Sequence, residues 1–172
     1  YVFSLANFDK RLYYDSFTPQ QPSFSDNKSS IMAQIRKKDV LLFYPYHTMQ
    51  PFLSLLKEAA TNPNVLSIKI TIYRLASSSA VAKYLCEAAE NGKEVTALVE
   101  LRARFDEKNN IEWAKQLEYS GCNVIYGLEN FKCHSKVCLI TMKTKNDFSY
   151  ITQVGTGNYN EKTSAMYTDF SL

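Results

Sequence analysis

The chain has 172 residues, of which 45% are hydrophobic, and a formal net charge of +3. This length allows one domain with a sizeable core and is too short for two independent domains. The weakly basic balance is spread along the chain without a basic tail, so it favours anionic ligands and gives no specific indication of nucleic acid, which is not expected as a partner.

Cysteine usage and hydropathy indicate where the protein is found. Cys86, Cys122, Cys133 and Cys138 form no Cys-x-x-Cys pair. Three of them lie in apolar periodic segments, where free buried thiols are common, and this indicates a reducing compartment. No apolar run approaches the roughly 20 residues of a membrane span. We therefore expect a cytoplasmic protein without a transmembrane segment, and association with a membrane surface is left open.

Residues 1–27 are rich in aromatic residues, Pro, Gln and Ser and have no sustained hydrophobic period. They predict an extended segment that leads in from an upstream domain and packs on it, where Tyr13, Tyr14 and Phe17 would find their partners. The chain starts without methionine and stops at Leu172 inside a predicted strand. We expect it to be a piece of a larger protein, with residues 28–172 as its domain.

From residue 28 onward, helical and strand patterns alternate. The predicted helices cover 29–38, a segment capped by Thr48 and closed by Pro63, a segment capped within serines 77–79 and stopped at Asn91-Gly92, and 109–119. The predicted strands are 39–44, 65–73, 94–101 and 122–126, followed by a hairpin of 135–142 and 148–154. This order predicts an α/β domain: a mainly parallel, twisted sheet flanked by helices, with a late antiparallel hairpin. Ligands of such sheets gather at the carboxyl ends of the strands.

His134 and Lys136 stand two residues apart at the start of an apolar run that is rich in β-branched residues. In a strand, both side chains would point to one face. A neutral imidazole can attack phosphorus, and an ammonium group beside it can neutralise charge that develops on phosphoryl oxygens. The pair therefore suits phosphoryl transfer through a phosphohistidine, although His-x-Lys alone is a weak signal.

Three arginines follow predicted strands: Arg74 comes after one, and Arg102 and Arg104 come after the next. If the strands are parallel, these guanidinium groups meet the His-x-Lys pair at one edge of the sheet and form a pocket for a polyanion. The alternative is that Arg102 and Arg104 pair with Glu100, Asp106 or Glu107 as a solvated charge cluster.

The turn from Gly155 to Asn158 follows the second hairpin strand, where glycines let backbone N–H groups approach an anion and Thr and Asn add donors. Its position would bring these donors beside His134. The other histidine, His47, is predicted to be a loop or capping residue, and Trp113 is assigned to packing. Tyr167 could stack on a base or fill the core, and the residues alone favour the core.

Four segments together resemble the bacterial polyphosphate kinase family: DVLLFYPYH at 39–47, ITIYR at 70–74, VELRARFDE at 99–107 and GTGNYNEKT at 155–163. The resemblance runs from about Tyr13 to Leu172. It matches the first of the family's two phospholipase-D-like catalytic domains, so the predicted sheet and the His-x-Lys pair fit one architecture.

The resemblance implies a reversible, Mg²⁺-dependent transfer of the terminal phosphate of ATP to inorganic polyphosphate through a phosphohistidine. It implies that His134 is the nucleophile, that Lys136 stabilises charge, and that Arg74 and Arg104 lie at the phosphate and magnesium site. Because a guanidinium group has no free lone pair, we expect these arginines to bind phosphates, which in turn bind the Mg²⁺ with water. It also implies that Tyr167 binds nucleotide, which replaces the core assignment.

The resemblance further implies contributions from missing domains of the same chain and a homo-oligomer when the protein is full length, so the isolated fragment is expected to be inactive. One position departs from phospholipase D proteins, which carry an aspartate where this chain has Thr141. The alternatives are a phosphodiesterase or nuclease of the phospholipase D superfamily, which Thr141 disfavours, and a non-catalytic polyanion-binding module.

Overall fold

The computed structural model describes residues 4, 8–12, 15, 17–22, 30–103, 106–127 and 129–172. Within them the chain forms four α-helices: α1 (Ile31–Ile35), α2 (Gln50–Thr61), α3 (Ala80–Glu90) and α4 (Glu107–Tyr119). The strands are β1 (Leu42–Tyr44), β2 (Val65–Ile72), β3 (Glu94–Val99), β4 (Asn123–Tyr126), β5 (Lys136–Lys143), β6 (Phe148–Gly155) and β7 (Asp169–Ser171). Two short 3₁₀ turns cover Lys10–Leu12 and Thr163–Ala165.

The strands form one sheet in the order β1-β7-β6-β5-β2-β3-β4. This confirms the predicted α/β class and the late hairpin of β5 and β6. The balance of directions differs from the expectation: in the described part of the chain β2, β3 and β4 pair in parallel, and the other four pairings are antiparallel. The hairpin occupies the side of β2 where a parallel β1 would lie, so β1 pairs with β7 at the sheet edge.

The core lies between one face of the sheet and the helices. On β2, Ile68, Ile70 and Ile72 are buried while Lys69 is exposed, which is the period of two expected for a strand with one face covered. Helices α2 and α3 bring their apolar stripes to this face through residues such as Leu56 and Leu85, both of which are fully buried.

Local capping chemistry explains where two of the helices begin. Ser79 caps α3 as predicted, because its side chain accepts a hydrogen bond from the backbone N–H of Ala82. The prediction for Thr48 is wrong. The N-cap of α2 is Met49, which makes no side-chain cap, and Pro51 stands in the first turn, where its fixed φ favours a helix start. The Thr48 hydroxyl instead hydrogen-bonds Gln21 at 3.3 Å.

The end of the leading segment contacts the domain that follows it. Gln20 donates its N–H to the carbonyl of Tyr46 at 2.7 Å, and the ring of Phe17 stacks on Tyr46 with centroids 5.5 Å apart. Phe17 thus has one partner inside the domain, while 52% of the residue stays exposed, so a further partner for it in an upstream domain stays a prediction. Tyr13 and Tyr14 lie outside the described residues, and the assignment of 1–27 to a separate upstream domain stays a prediction.

Three side chains behave as the sequence predicts. His47 Nδ1 accepts the backbone N–H of Phe43 at 3.0 Å and so closes the turn after β1. The indole of Trp113 packs against the core and donates to the carbonyl of Ala76 at 2.9 Å. Burial raises the pKa of the Cys138 thiol to about 12.

No helix in the described ranges is long and apolar enough to cross a membrane.

Candidate active site

Strand direction brings the predicted site residues to one edge of the sheet. Because β5 runs antiparallel to β2 and β6, its first residue, Lys136, lies opposite Gly155 at the end of β6 and close to the end of β2. An open cleft of about 350 Å³ lies at this edge. It is lined by residues of four chain segments: Arg74, His134, Lys136, Thr156, Gly157, Asn158, Thr163, Tyr167, Thr168 and Asp169.

Most of the residues predicted for the site therefore meet in this cleft. His134, Lys136, Arg74, Asn158 and Tyr167 all line it. Arg104 lies outside the described residues, so its predicted place at the phosphate and magnesium site stays a prediction. Arg102 is exposed and is not among the residues that line the cleft.

The ring of Tyr73 is the surface on which the three basic side chains gather. His134 meets it edge-on, with centroids 4.6 Å apart and an angle of 78° between the planes. Lys136 Nζ lies 5.3 Å from the ring centroid and Arg74 Cζ lies 5.7 Å from it. A π-face attracts cations at such distances, so Tyr73 holds two positive charges close to one imidazole. Tyr73 was missed by sequence reasoning.

Lys136 reaches the cleft from a buried position. The residue is only 4% exposed, and its Nζ donates to the carbonyl oxygen of His134. The strand begins at Lys136, one residue later than predicted, so His134 lies just before β5. Both side chains nevertheless line the cleft. The ring of His134 packs on Tyr73, and the carbonyl of His134 accepts the hydrogen bond from Lys136.

The surroundings of His134 favour the neutral form of its imidazole. Desolvation, followed by the positive charges of Lys136 and Arg74, lowers the pKa of His134 below its ordinary value. Desolvation also lowers the pKa of Lys136, an effect that the nearby Asp169 and Cys133 oppose and Arg74 adds to. A neutral imidazole beside cations is the arrangement that a nucleophile toward phosphorus requires.

An ion pair holds Arg74 in place. Its Nε lies 3.0 Å from Oδ2 of Asp106, and both side chains are about one-third exposed. The alternative in which Arg102 pairs with Glu100 is not what is found. Glu100 is 2% exposed, and its carboxylate accepts the backbone N–H groups of Arg102 at 2.8 Å and Cys133 at 3.0 Å. Glu100 therefore ties the loop before His134 to the end of β3.

The turn after β6 packs directly on Asp169. Thr156 Oγ1 donates to Asp169 Oδ1 at 2.7 Å. A Cβ on Gly157 would lie 2.5 Å from Asp169 Oδ2, so a side chain cannot be placed there without moving the turn. Asn158 places its Oδ1 in a buried position, where it has no hydrogen-bond partner among the described residues. The glycine predicted to allow close approach of an anion thus also allows close approach of a carboxylate.

Glu161 anchors the segment that follows this turn. Its Oε1 accepts the N–H groups of Ala80 at 2.7 Å and Val81 at 3.3 Å, and the Ser79 hydroxyl at 3.4 Å. These donors form the N-terminus of α3, where a negative charge is favoured. Glu161 therefore joins the end of the cleft-lining turn to a helix 80 residues earlier in the chain.

Tyr167 is not a core residue, because 59% of it is exposed at the rim of the cleft. This overturns the core assignment that the residues alone favoured. Its backbone N–H donates to the carbonyl of Thr163 at 2.9 Å, and this bond closes the turn that carries the ring to the cleft. Such a ring is accessible for stacking.

The donors in the cleft suit a Mg²⁺ that arrives with phosphate better than a metal site made only by protein. The described residues contain no group of three or more His, Cys, Asp and Glu able to hold a metal ion. The cleft offers the carboxylate of Asp169, the Asn158 carboxamide and threonine hydroxyls. Mg²⁺ is commonly bound by one carboxylate together with substrate phosphates and water, and these residues fit that form.

Comparison with known proteins identifies the family. The family model described as polyphosphate kinase C-terminal domain 1 matches residues 30–172. The chain belongs to the polyphosphate kinase family. It is 44% identical to the polyphosphate kinase of Staphylococcus epidermidis over 163 residues, which are 95% of this chain and 22% of that protein. It is 48% identical to the polyphosphate kinase of Exiguobacterium sibiricum over 161 residues, which are 94% of this chain and again 22% of that protein.

Solved structures agree with this assignment. The polyphosphate kinase of Porphyromonas gingivalis has a TM-score of 0.79 and 37% identity, covering 95% of this chain and 27% of that one. The phospholipase D family member Nuc of Salmonella typhimurium has a TM-score of 0.57 and 16% identity, covering 77% of this chain and 78% of that one, which shows a shared fold. The chain spans about a fifth to a quarter of the polyphosphate kinases it matches.

Proposed function

We propose that His134 is the phosphohistidine nucleophile of a polyphosphate kinase that transfers the terminal phosphate of ATP reversibly to inorganic polyphosphate. The observation that carries this proposal is the position of the His134 imidazole beside Lys136 and Arg74 in an open cleft, where desolvation and the two positive charges lower its pKa. Family membership supplies the reaction class, because matched relatives are polyphosphate kinases.

The reaction proceeds in two displacements at phosphorus. In the first, an imidazole nitrogen of His134 attacks the γ-phosphorus, a P–N bond forms, and the bond to the bridging oxygen breaks so that ADP leaves. In the second, a terminal oxygen of polyphosphate attacks the same phosphorus and the P–N bond breaks. The chain grows by one phosphate and the imidazole is neutral again. Each step runs backward when ADP is abundant.

Lys136 and Arg74 stabilise the transferring group. The ammonium of Lys136 and the guanidinium of Arg74 both lie within 6 Å of the Tyr73 centroid and line the same cleft as His134, so both are close enough to act on a phosphoryl group there. Fixed positive charges in a partly desolvated cleft stabilise charge on the equatorial oxygens without reorganisation. Asn158 adds its carboxamide as a hydrogen-bond donor, and Arg104 is proposed to act with Arg74.

Magnesium would be held by the substrate phosphates, with Asp169 as the carboxylate of the cleft and water completing the shell. When bound, it supplies positive charge to the β- and γ-phosphates. The arginines bind the same phosphates and are not ligands of the metal, because guanidinium nitrogens carry no free lone pair.

The nucleotide is proposed to stack on Tyr167 at the rim of the cleft, where the ring is accessible. The rest of the active site would come from other domains of the same chain, since this chain spans only part of its relatives. The isolated chain is therefore proposed to be inactive, and the full enzyme to be a cytoplasmic homo-oligomer, with membrane association left open.

The full-length enzyme tests this function. It is expected to form long-chain polyphosphate from ATP and Mg²⁺, and His134→Gln is expected to abolish that synthesis while His47→Gln, at the other histidine, retains it. Cleavage of a generic phosphodiester without ATP would instead assign the chain to the hydrolases of its fold. Unchanged polyphosphate binding without turnover in any longer chain would assign it to non-catalytic binding modules.

Thr141 counts less against the hydrolase than the sequence suggested. Thr141 pairs with Ser67 and Tyr150 within β5, five residues beyond Lys136. An odd offset in a strand points to the opposite face, and five residues span roughly 16 Å. An aspartate at position 141 could therefore not touch His134 here, so its absence does not discriminate between the two reactions. Membership of the polyphosphate kinase family is what favours the kinase reaction over hydrolysis.

A further inference from the structure

The N-cap and the first two turns of α4 contact the four consecutive residues 73–76, which follow β2. Asn110 donates to the carbonyl of Tyr73 at 2.9 Å, Asn109 to that of Leu75 at 2.9 Å, and Trp113 to that of Ala76 at 2.9 Å. The residue between the first two carbonyls is Arg74, whose guanidinium is held by Asp106, the N-cap of α4. One helix end thus fixes Arg74 through its side chain and through the backbone on both sides.

Packing alone does not account for these residue types. Two asparagines occur in succession at positions 109 and 110, in the first turn of α4, and both donate from their side-chain amides to backbone carbonyls outside the helix. Asn110 is fully buried, and its amide also donates to the carbonyl of Glu100 at 3.1 Å. Glu100 in turn holds the N–H of Cys133, next to His134. The same helix end is therefore connected to both sides of the proposed phosphoryl-transfer site.

The charge of Asp106 has a definite consequence. A carboxylate 3.0 Å from Arg74 Nε lowers the net positive potential that a polyanion meets. Asp106 therefore does not help to attract the polyanion. The ion pair instead restrains the position of the guanidinium group, whose planar fork distinguishes arginine from lysine in binding phosphate. A fixed fork loses less conformational entropy when the transferring group forms.

We propose that Asp106 and Asn109 are positioning residues for phosphoryl transfer, which act by setting the orientation of Arg74 toward His134. This inference rests on the proposed function, because it requires Arg74 to contact the transferring phosphate. Asp106 and Asn109 themselves contact Arg74 and its neighbouring backbone.

A double-mutant cycle in the full-length enzyme tests the inference. Asp106→Asn is expected to lower kcat/KM for ATP in polyphosphate synthesis about 10-fold, and by less than about 2-fold when Arg74→Met is already present. Glu107→Gln is the matched control, since it removes the same charge at the next, exposed position. It is expected to leave kcat/KM unchanged. Asn109→Ala, which favours the helix, is expected to repeat the cycle and replaces Asp106→Asn if that variant fails to fold.

Equilibrium binding of ATP gives a second measurement of the same cycle. It requires no turnover, so it can be used if Arg74→Met is too slow for a kinetic assay. Equal losses in the two backgrounds, no loss in Asp106→Asn, or the same loss in Glu107→Gln would overturn the inference. If Arg74→Met itself costs nothing, the phosphate-binding role of Arg74 fails and the inference with it. An additive cycle on an impaired Arg74→Met overturns the positioning role alone and leaves the proposed function intact.

Discussion

The imidazole of His134 meets the ring of Tyr73 edge-on, with the two centroids 4.6 Å apart. Tyr73 directly precedes Arg74, just after the end of β2. His134 lies just before β5, the strand that pairs with β2. One aromatic ring therefore sets the distance between the proposed nucleophile and two cations.

Replacing Tyr73 separates the contribution of the ring from that of the hydroxyl. Tyr73→Phe keeps the edge contact and the π-face, so it is expected to retain near-normal kcat. Tyr73→Leu removes both, and the lost aromatic and cation–π contacts correspond to about a 10-fold loss in kcat. Steady-state kinetics of the full-length enzyme measure this. Equal losses in the two variants would show that the hydroxyl, not the ring, is what matters.

The lowered pKa of His134 predicts the acid limb of the pH profile. The imidazole must be neutral to attack, so kcat/KM is expected to persist below the ordinary histidine pKa of 6.5. Lys136→Met removes a positive charge that lowers this pKa, so the pKa rises and the acid limb moves to higher pH. Lys132→Met is the control: Lys132 binds the carbonyl of Arg102 nearby, and its loss is expected to leave the limb in place. A limb that does not move in Lys136→Met contradicts the electrostatic account.

Gly157 tests the packing of the turn against Asp169. In Gly157→Ala the new Cβ meets the Asp169 carboxylate at 2.5 Å, so the turn or β7 has to shift. We expect a loss of about 1–3 kcal/mol of stability, typical of overpacking, and a strong loss of activity because Asn158 moves with the turn. Thr152→Ala, on an exposed part of β6, is the control. An unchanged melting temperature in Gly157→Ala would contradict the close approach.

Glu161 predicts opposite effects of charge removal at the two ends of α3. Glu161→Gln removes the negative charge at the N-terminus of α3 and is expected to lower the free energy of unfolding by about 1 kcal/mol. Glu90→Gln removes the same charge from the last helical residue, where it is unfavourable, and is expected to raise the melting temperature slightly. Thermal unfolding of the two variants compares them. Shifts of the same sign would show that Glu161 does not act through the helix terminus.

Local sequence patterns predicted most helices and strands. Hydrophobic periods of two and 3.6 residues, and caps such as Ser79, depend only on residues that are close in the sequence. The position of β1 was not predicted, since its pairing with β7 joins segments more than 100 residues apart. At the site, His134, Lys136, Arg74 and Asn158 could be found because each has a distinctive residue type next to a strand. The contacts of Asp106 with Arg74 and of Glu161 with the start of α3 were not predicted, because these partners come close only in the fold.

The most direct test of the account is covalent labelling of the full-length enzyme. Incubation with γ-³²P-labelled ATP and Mg²⁺ is expected to leave label on the protein that is acid-labile and alkali-stable, and that moves to polyphosphate when the chain is extended. His134→Gln is expected to carry no such label, while His47→Gln carries the normal amount. Full labelling of His134→Gln would contradict the assignment of His134 as the nucleophile.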